Sequence, residues 1–540
     1  MKALVHKLCG ERNNKLVKPD RTPLKQRFAY GVGHVFNDLC IQAWFSYSLI
    51  YFTKVMGLSA VNAGYIFLAS QLADAFSTPF IGYLCDRQIT KIVGERYGNK
   101  KIWHLFGCVG IAIVWPFLFS PCLMCDENTE EWQKTTYFGI LTLIFNICWP
   151  MVEISHLSLM PHVARRTKDA IELSAIRSAM KLGCGVYVYV VTWILLKDNK
   201  ETQIDASVQK PFTYQTIIVL ITGGIFALVF HWGVDETTRH REMQNEKERK
   251  RSESIRQQEK EALKIRDPEK QALEDEYNHI EVIDRDAKKH MFVDEKKSIK
   301  EWFKSTDFYV MMVIYFTTQN TTNLIQTYFP IYLTETMHFP KEAIAYFPLL
   351  ILVFGIIASA AVKPLTKKFS NRVLYCASAV VVIASEAWMF FNPQESRDAI
   401  YAPTILLGCG VSIMVVTSLA MVSDLIGDDK ESSGVVYAVM SFVDKLSLGL
   451  IVLGLQENTP ENHGGVCIPC MDYTRTAFAV IPGIEALIGF VAVAFFFQRS
   501  PLKNFNEKRR EKEEEKRKNK VIEMKEDDCE KLKYLKSSDV

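Results

Sequence analysis

The stretch AGYIFLASQLADAFSTPFIGYLC, residues 63–85, carries a carboxylate, Asp74, in the middle of an apolar run with no room for a loop. It is long enough to cross the ~30 Å hydrocarbon core of a bilayer as a helix. An unpaired acid at that depth costs roughly 2.5–3.5 kcal/mol on insertion scales. Either the segment is not a membrane span, or it is a span whose acid turns away from lipid toward partners. The rest of the chain decides between the two.

The bulk composition of the 540 residues resembles that of a soluble protein: 49% hydrophobic, 23% charged, net charge +3 and mean hydropathy +0.03. The average conceals segregation. Apolar blocks of spanning length recur at 27–53, 59–86, 100–120, 135–160, 170–197, 212–234, 306–333, 341–362, 372–391, 398–424, 431–455 and 472–498. They lack the period-2 alternation of barrel strands, and in lipid the backbone must be satisfied internally, so helices are expected throughout. The chain reads as an all-α membrane protein with twelve transmembrane helices. The first 26 residues are polar and basic, without the apolar core of a signal peptide.

Basic residues set the expected orientation. Lys2, Lys7, Arg12, Lys15, Lys18, Arg21, Lys25 and Arg27 precede or open span 1. The 2–3 loop holds Arg87, Lys91, Arg96, Lys100 and Lys101, the 4–5 loop Arg165, Arg166 and Lys168, and the 8–9 loop Lys363, Lys367, Lys368 and Arg372. The 3–4 loop instead carries Asp126, Glu127, Glu130 and Glu131 against Lys134. Basic loops stay cytoplasmic, which puts both termini in the cytosol.

Six spans, a charged stretch, and six more spans make a 6+6 pattern, the pattern of carriers whose site lies between two halves near the midplane. The expected organisation is a cytosolic tail (1–26), a six-helix half (27–234), a charged cytosolic insert (235–305), a second half (306–498) and a charged cytosolic tail (499–540). No strong sequence repeat relates the halves; hydropathy alone carries the symmetry. The insert segment REMQNEKERKRSESIRQQEKEALKIRD and the tail segment NEKRREKEEEKRKNK mix charges at i,i+4 spacing and read as solvated helices.

Asp74 has company within the spans. Asp38 interrupts span 1, with His34 one turn before it; Glu153 sits in span 4 with Asn146 two turns earlier and His156 at i+3. Arg177 and Lys181 lie at i,i+4 in span 5, with Cys184 on the same stripe, and Lys445 lies beside Asp444 in span 11. Gln319, Asn323 and Gln326 form one polar stripe along span 7. Ionisable groups at this depth face a bundle interior or a hydrated path and pair with one another. A single acid such as Glu386, Glu485 or Asp444 reads as a local polar lock between helices. The set Asp38, Asp74, Glu153, Arg177 and Lys445, spread over five spans and both halves, reads as a site. His34 and His156 either titrate or simply bond a neighbour.

YGVGHVFND (30–38), ADAFSTPFIGY (73–83), EISHLSLMP (153–161) and VDK (443–445) resemble the major facilitator superfamily, and within it the glycoside–pentoside–hexuronide:cation symporters, the melibiose-carrier group. The resemblance covers nearly all of residues 28–498. It implies substrate-site roles for Asp38, Glu153, Arg177 and Lys445, and a cation-coupling role for Asp74. GYLCDR (82–87) resembles the superfamily's cytoplasmic G-x-L-x-D-R signature, which implies that Gly82, Asp86 and Arg87 help hold the halves in register. A closer likeness, through YGVGHVFND, ADAFSTPFIGY, ISHLSLMP and YAVMSFVDK, is to the animal lysosomal and melanosomal cysteine importers and their invertebrate relatives. That likeness implies transport of cysteine from the cytosol into an acidic organelle.

The chain departs from the sugar carriers at two places. Thr78 stands where sodium-coupled members place a second carboxylate in span 2, which turns the expectation from Na+ toward H+ or no coupling. Leu157 and Val415 stand where sugar carriers stack the pyranose on tryptophans. The mix of acids and bases suits a zwitterion: Arg177 or Lys445 for a carboxylate, Asp38 or Glu153 for an ammonium. Gln319 and Asn323 complete the expected substrate-binding set.

Cys122-Leu-Met-Cys125 and Cys467-Ile-Pro-Cys470 fall in loops expected on the non-cytoplasmic side, where disulfides persist. Disulfides are preferred there to a zinc site, because His463 is the sole nearby histidine; within-pair and between-loop linkage both stay open. Cys40, Cys108, Cys148, Cys184, Cys376 and Cys409 lie singly in spans as small apolar fillers. There is no G-x-S-x-G, Walker A, H-E-x-x-H or dinucleotide fingerprint, and no folded soluble domain to host one. The chain reads as no enzyme, with no cofactor, resident metal or nucleic-acid partner. Tyr277 and Ile280 fit a Y-x-x-aliphatic endosomal sorting signal, for which a sorting adaptor would be the partner, although such tetrapeptides recur by chance. The expectation is a secondary transporter of cysteine in a lysosomal or related membrane. The alternatives are a cation-coupled symporter of sugars or amphipathic lipids at the plasma membrane, and a non-transporting scaffold or receptor.

Overall fold

The computed structural model describes residues 22–85, 97–126, 128–165, 167–198, 203–236, 299–426, 433–460 and 467–499. Asp86, Arg87, Tyr277, Ile280 and His463 lie outside them. Among the described residues, twelve long helices fall into two six-helix halves. The first half holds α1 (24–55), α2 (Ala60–Cys85), α3 (Asn99–Leu118), α4 (Glu131–Val163), α5 (Thr167–Asp198) and α6 (Ala206–Gly233). The second holds α7 (306–336), α8 (Ala343–Leu365), α9 (Asn371–Phe391), α10 (Tyr401–Ile426), α11 (Ser433–Glu457) and α12 (468–499), with a short turn of helix at Ile299–Trp302 ahead of it. Among the described residues, nine helices are long and apolar enough to cross a membrane; the three outside that set are α1, α2 and α7. These three are less apolar for one reason: they carry His34, Asp38, Gln71, Asp74 and the Thr317–Asn323 polar run, groups that would be costly against lipid. On α6, by contrast, Ile217, Ile221, Ile225 and Leu228 form an exposed apolar stripe suited to acyl chains.

Structure reveals an internal repeat that hydropathy did not. α1 and α7 each end in a five-residue π turn, Tyr51–Val55 and Tyr332–Thr336. The sequences YFTKVMGL (51–58) and YLTETMHF (332–339) then superpose bond for bond. Met56 N–H donates to Tyr51 O and Leu58 N–H to Phe52 O; Met337 N–H donates to Tyr332 O and Phe339 N–H to Leu333 O. Each copy also places one residue at positive φ, Gly57 at 66° and His338 at 49°. The two turns lie at the end of the bundle opposite the start of α1, called the far end; the other is the terminal end.

The halves are joined from mid-bundle to the far end. Gln326 on α7 donates to Ser46 Oγ on α1 at 2.9 Å, and Lys54 Nζ lies 2.9 Å from Glu335 Oε2. α2 and α11 cross closely because residue 449 is glycine; a Cβ there would stand 2.9 Å from Leu68 Cδ1 and 3.0 Å from Gln71 Cβ. Within each half the far end is packed with aromatics, including Phe478 stacked on Phe329 at 5.0 Å and on Tyr332 at 4.5 Å.

At the terminal end, Lys100 and Lys101 prove not to be loop charges. Both lie in the first turn of α3, at 8% and 6% exposure. The Glu236 carboxylate accepts from their backbone N–H groups at 3.0–3.2 Å, capping α3. Lys101 Nζ donates to His231 O and Val234 O at the end of α6. Each charge thus meets the helix pole of opposite sign.

Candidate substrate and coupling site

α1 breaks in mid-half. Its first helix stops at Val32 and its second restarts at Val35, leaving Gly33 and His34 between them. A Cβ on Gly33 would lie 2.3 Å from the Phe230 ring, so only glycine lets α6 approach. The break aims His34 inward. His34 Nδ1 lies 2.8 Å from Asp38 Oδ1, and its Nε2 faces Arg177 Nη2 on α5 at 3.3 Å and Asn37 Nδ2 at 3.4 Å. Arg177 Nη2 in turn lies 3.7 Å from Glu153 Oε1 on α4. One chain of polar contacts, Asp38–His34–Arg177–Glu153, therefore crosses three helices. Asp38 Oδ2 is buried with no partner among the described residues.

The second charged group spans the halves. Lys445 on α11 forms an ion pair with Asp74 on α2, whose side chain is 2% exposed. Thr78 donates its hydroxyl to Asp74 Oδ1 at 3.0 Å and lies 3.5 Å from Lys445 Nζ. The same ammonium sits 5.2 Å from the centroid of the Trp149 ring. Trp149 and Glu153 are four residues apart and share a face of α4, so α4 carries both groups. This answers the puzzle of Asp74, which is matched by a cation from the other half rather than left against lipid.

His156 belongs to neither group. Its Nε2 hydrogen-bonds Tyr30 O at 2.8 Å, the Tyr30 hydroxyl donates to His156 O at 3.0 Å, and the two rings stack at 4.2 Å. It locks α4 to α1. Lys181 is exposed, while Cys184 is buried against Val35 O at 3.8 Å. Gln319 and Asn323 are half-buried on α7, and Gln326 of the same stripe serves the joint between halves. Glu386 does not form the polar lock expected of it: both of its oxygens are buried without a hydrogen-bond partner among the described residues. Gly82 is half-buried on α2. The cysteine pairs close within themselves, Cys122 to Cys125 and Cys467 to Cys470.

Two features escaped the sequence reading. Trp149 places an aromatic at the site although Leu157 and Val415 are aliphatic; its i−4 spacing from Glu153 was the available signal. Asn320, one residue off the expected α7 stripe, donates to Ser447 on α11 at 3.0 Å, a contact visible only in three dimensions.

On α5, Ser178, Ala179, Lys181, Leu182 and Gly183 are all exposed, which is more than one helix face can show to lipid. At the far end the Lys54–Glu335 pair borders two recesses, one of about 610 Å³ that also includes Tyr328, Gln456 and Tyr473.

Comparison with known proteins accords with this fold. The human protein named major facilitator superfamily domain-containing protein 12 is 32% identical over 478 residues, covering 86% of this chain and 91% of its own length. The chain belongs to the major facilitator superfamily. Family profiles described as "MFS/sugar transport protein" and "Major Facilitator Superfamily" match residues 29–267 and 206–451. The isoprimeverose transporter of Lactiplantibacillus pentosus is 25% identical over 165 residues, covering 31% of this chain and 32% of its own length. Among solved structures, a D-xylose-proton symporter superposes with a TM-score of 0.59 at 11% identity, covering 86% of this chain and 95% of the other. This superfamily member is a multi-pass membrane protein and a secondary transporter of small molecules, and not an enzyme.

Proposed function

We propose that this transporter carries cysteine, a small zwitterionic thiol amino acid, from the cytosol into lysosomes or related organelles by alternating access. The Arg177–Glu153 pair carries the reading. Guanidinium and carboxylate stand 3.7 Å apart on different helices, with side chains 21% and 33% exposed. A substrate carboxylate can engage Arg177 and a substrate ammonium can engage Glu153 without leaving either charge unpaired. Asp38, acting through His34, contacts the same Nη2 of the guanidinium that faces Glu153. Likeness to the lysosomal cysteine importers in the segments that carry these residues supports the same substrate class.

The Asp74–Lys445 pair supports coupling to H+, or none, over Na+. The ammonium lies against both Asp74 and Thr78, the two side chains a sodium ion there would need as ligands. Protonating Asp74 would release Lys445 and loosen the joint between α2 and α11. In this reading both tails and the 235–305 insert are cytosolic, Gly82 with Asp86 and Arg87 steadies that face, and Tyr277 and Ile280 recruit a sorting adaptor.

Uptake of labelled cysteine into intact lysosomes, with and without the protein and at several lumenal pH values, tests the proposal. Arg177→Gln and Asp38→Asn variants that reach the membrane should lose uptake; normal rates in both would end the reading. A second reading, cation-coupled sugar transport at the plasma membrane, has the Trp149 ring in its favour. Sodium-stimulated sugar flux at the cell surface would favour it instead.

A further inference from the structure

Behind the α1 break, away from the transport site, three metal-ligating side chains converge. His104 Nδ1 and Cys108 Sγ, one turn apart on α3, and His231 Nε2 on α6 all lie within 4.8 Å of one another. His104 Nδ1 is 3.1 Å from His231 Nε2 and 3.5 Å from Cys108 Sγ. A tetrahedral Zn2+ with Zn–N of about 2.05 Å and Zn–S of about 2.3 Å sets N···N at about 3.3 Å and N···S at about 3.6 Å. Two of the three edges already have these lengths. The third, Cys108 Sγ to His231 Nε2, lies within 4.8 Å and needs to shorten by at most about 1.2 Å on binding, by movement of the half-buried His231.

The outer shell fits as well. Metal-bound histidines donate their other ring N–H to a fixed acceptor, which sets the tautomer. His104 Nε2 lies 2.9 Å from Gly33 O, a group that can only accept, so Nε2 bears the proton and Nδ1 offers its lone pair inward. His231 Nδ1 lies 2.7 Å from the Tyr97 hydroxyl, an acceptor for its N–H when Nε2 binds metal. His104 and Cys108 are buried and the Phe230 ring packs on His104 at 4.2 Å, which holds these two ligands in place, while the half-buried His231 leaves one side of the cluster accessible.

We propose that His104, Cys108 and His231 form a Zn2+ site that ties α3 and α6 together and, through the His104–Gly33 hydrogen bond, steadies the α1 break beside His34. On binding, the Cys108 thiol gives its proton to solvent and its sulfur lone pair to the ion; no electrons are transferred. The fourth position is left to water. The site goes beyond the transport reading and stands whether or not cysteine is the cargo.

The test uses the full chain in detergent, purified without reductant so that the two disulfides stay closed, stripped with a chelator and titrated with Co2+. One equivalent should bind with a thiolate-to-cobalt charge-transfer band that Zn2+ abolishes. Cys108→Ser should lose the band. Tyr97→Phe, which leaves all three ligands in place, should weaken binding about 10–100-fold. Absence of saturable cobalt binding in the unmutated protein, an undiminished band in Cys108→Ser, or unchanged affinity in Tyr97→Phe would each overturn the proposal.

Discussion

Lys445 of α11 reaches across the boundary between the halves to Asp74 of α2, and the same ammonium lies 3.5 Å from Thr78 Oγ1 and 5.2 Å from the Trp149 ring centroid. Two helices that belong to different halves are thereby held by a charge pair with little access to water. The pair makes each partner expensive to remove alone.

Lys445→Ala leaves the Asp74 carboxylate buried and unmatched, and Asp74→Asn does the same to the ammonium. Breaking a buried pair from one side costs about 3–5 kcal/mol. The double variant Asp74→Asn/Lys445→Ala should recover part of that loss, because neither charge is then stranded. Thermal unfolding of all four proteins in detergent measures the coupling. Additive losses would show that the two residues do not act on each other.

The Lys54–Glu335 pair is of another kind. Its side chains are 32% and 31% exposed, so its contribution to overall stability should be under about 1 kcal/mol. It nevertheless joins the two π turns at the far end. A change of about 1 kcal/mol in the balance between conformations alters their ratio about fivefold. Glu335→Gln should therefore leave the melting temperature nearly unchanged while raising far-end access. The readout is the rate at which an impermeant maleimide labels a cysteine placed at Thr53, which should rise in the variant. High salt should produce part of the same effect in the unmutated pair.

Gly33 permits the close packing of α1 on α6. Gly33→Ala puts a methyl group 2.3 Å from Phe230 Cδ2 and 2.9 Å from His156 Cδ2. Overpacking of this sort costs about 1–3 kcal/mol. Phe230→Ala alone leaves a cavity, yet in the Gly33→Ala background it removes the closer of the two clashes and leaves that with His156. A double-mutant cycle by thermal denaturation should show a coupling of at least about 1 kcal/mol; none would mean that the backbone yields freely at the break.

His338 occupies, at φ 49°, the position that Gly57 fills at 66° in the other half. Left-handed backbone costs a non-glycine residue about 1–2 kcal/mol, part of which glycine gives back in chain entropy. His338→Gly should raise stability by up to about 1 kcal/mol, and Gly57→Ala should lower it by about 1 kcal/mol. Arg397 bonds the backbone carbonyl of residue 338, so that contact survives the change. A fall in melting temperature for His338→Gly would assign the imidazole a role of its own.

How far the sequence could be read depended on the kind of signal. The spans were legible because lipid imposes length and apolarity on each helix separately. That Asp38, Asp74, Glu153, Arg177 and Lys445 would turn to polar partners was legible because charge inside a span demands compensation. Their pairing was not: nothing local says that His34 stands between Asp38 and Arg177, or that Lys445 goes to Asp74 and leaves Arg177 to Glu153. The YFTKVMGL and YLTETMHF repeat was on the page, but only the π turns show that the two octets do the same work. Lys101 illustrates the reverse error, a charge counted as loop that a helix end had recruited.

By itself the sequence determined that this is a twelve-helix membrane protein with charged groups turned inward, because hydrophobic length and the cost of burying charge are properties of each segment alone. Tertiary structure decided which charges neutralise which, where the halves meet, and that His104, Cys108 and His231 share one pocket. Those are distances between helices far apart in the chain, set by close packing at positions such as Gly33 and Gly449, and no one-dimensional pattern encodes them.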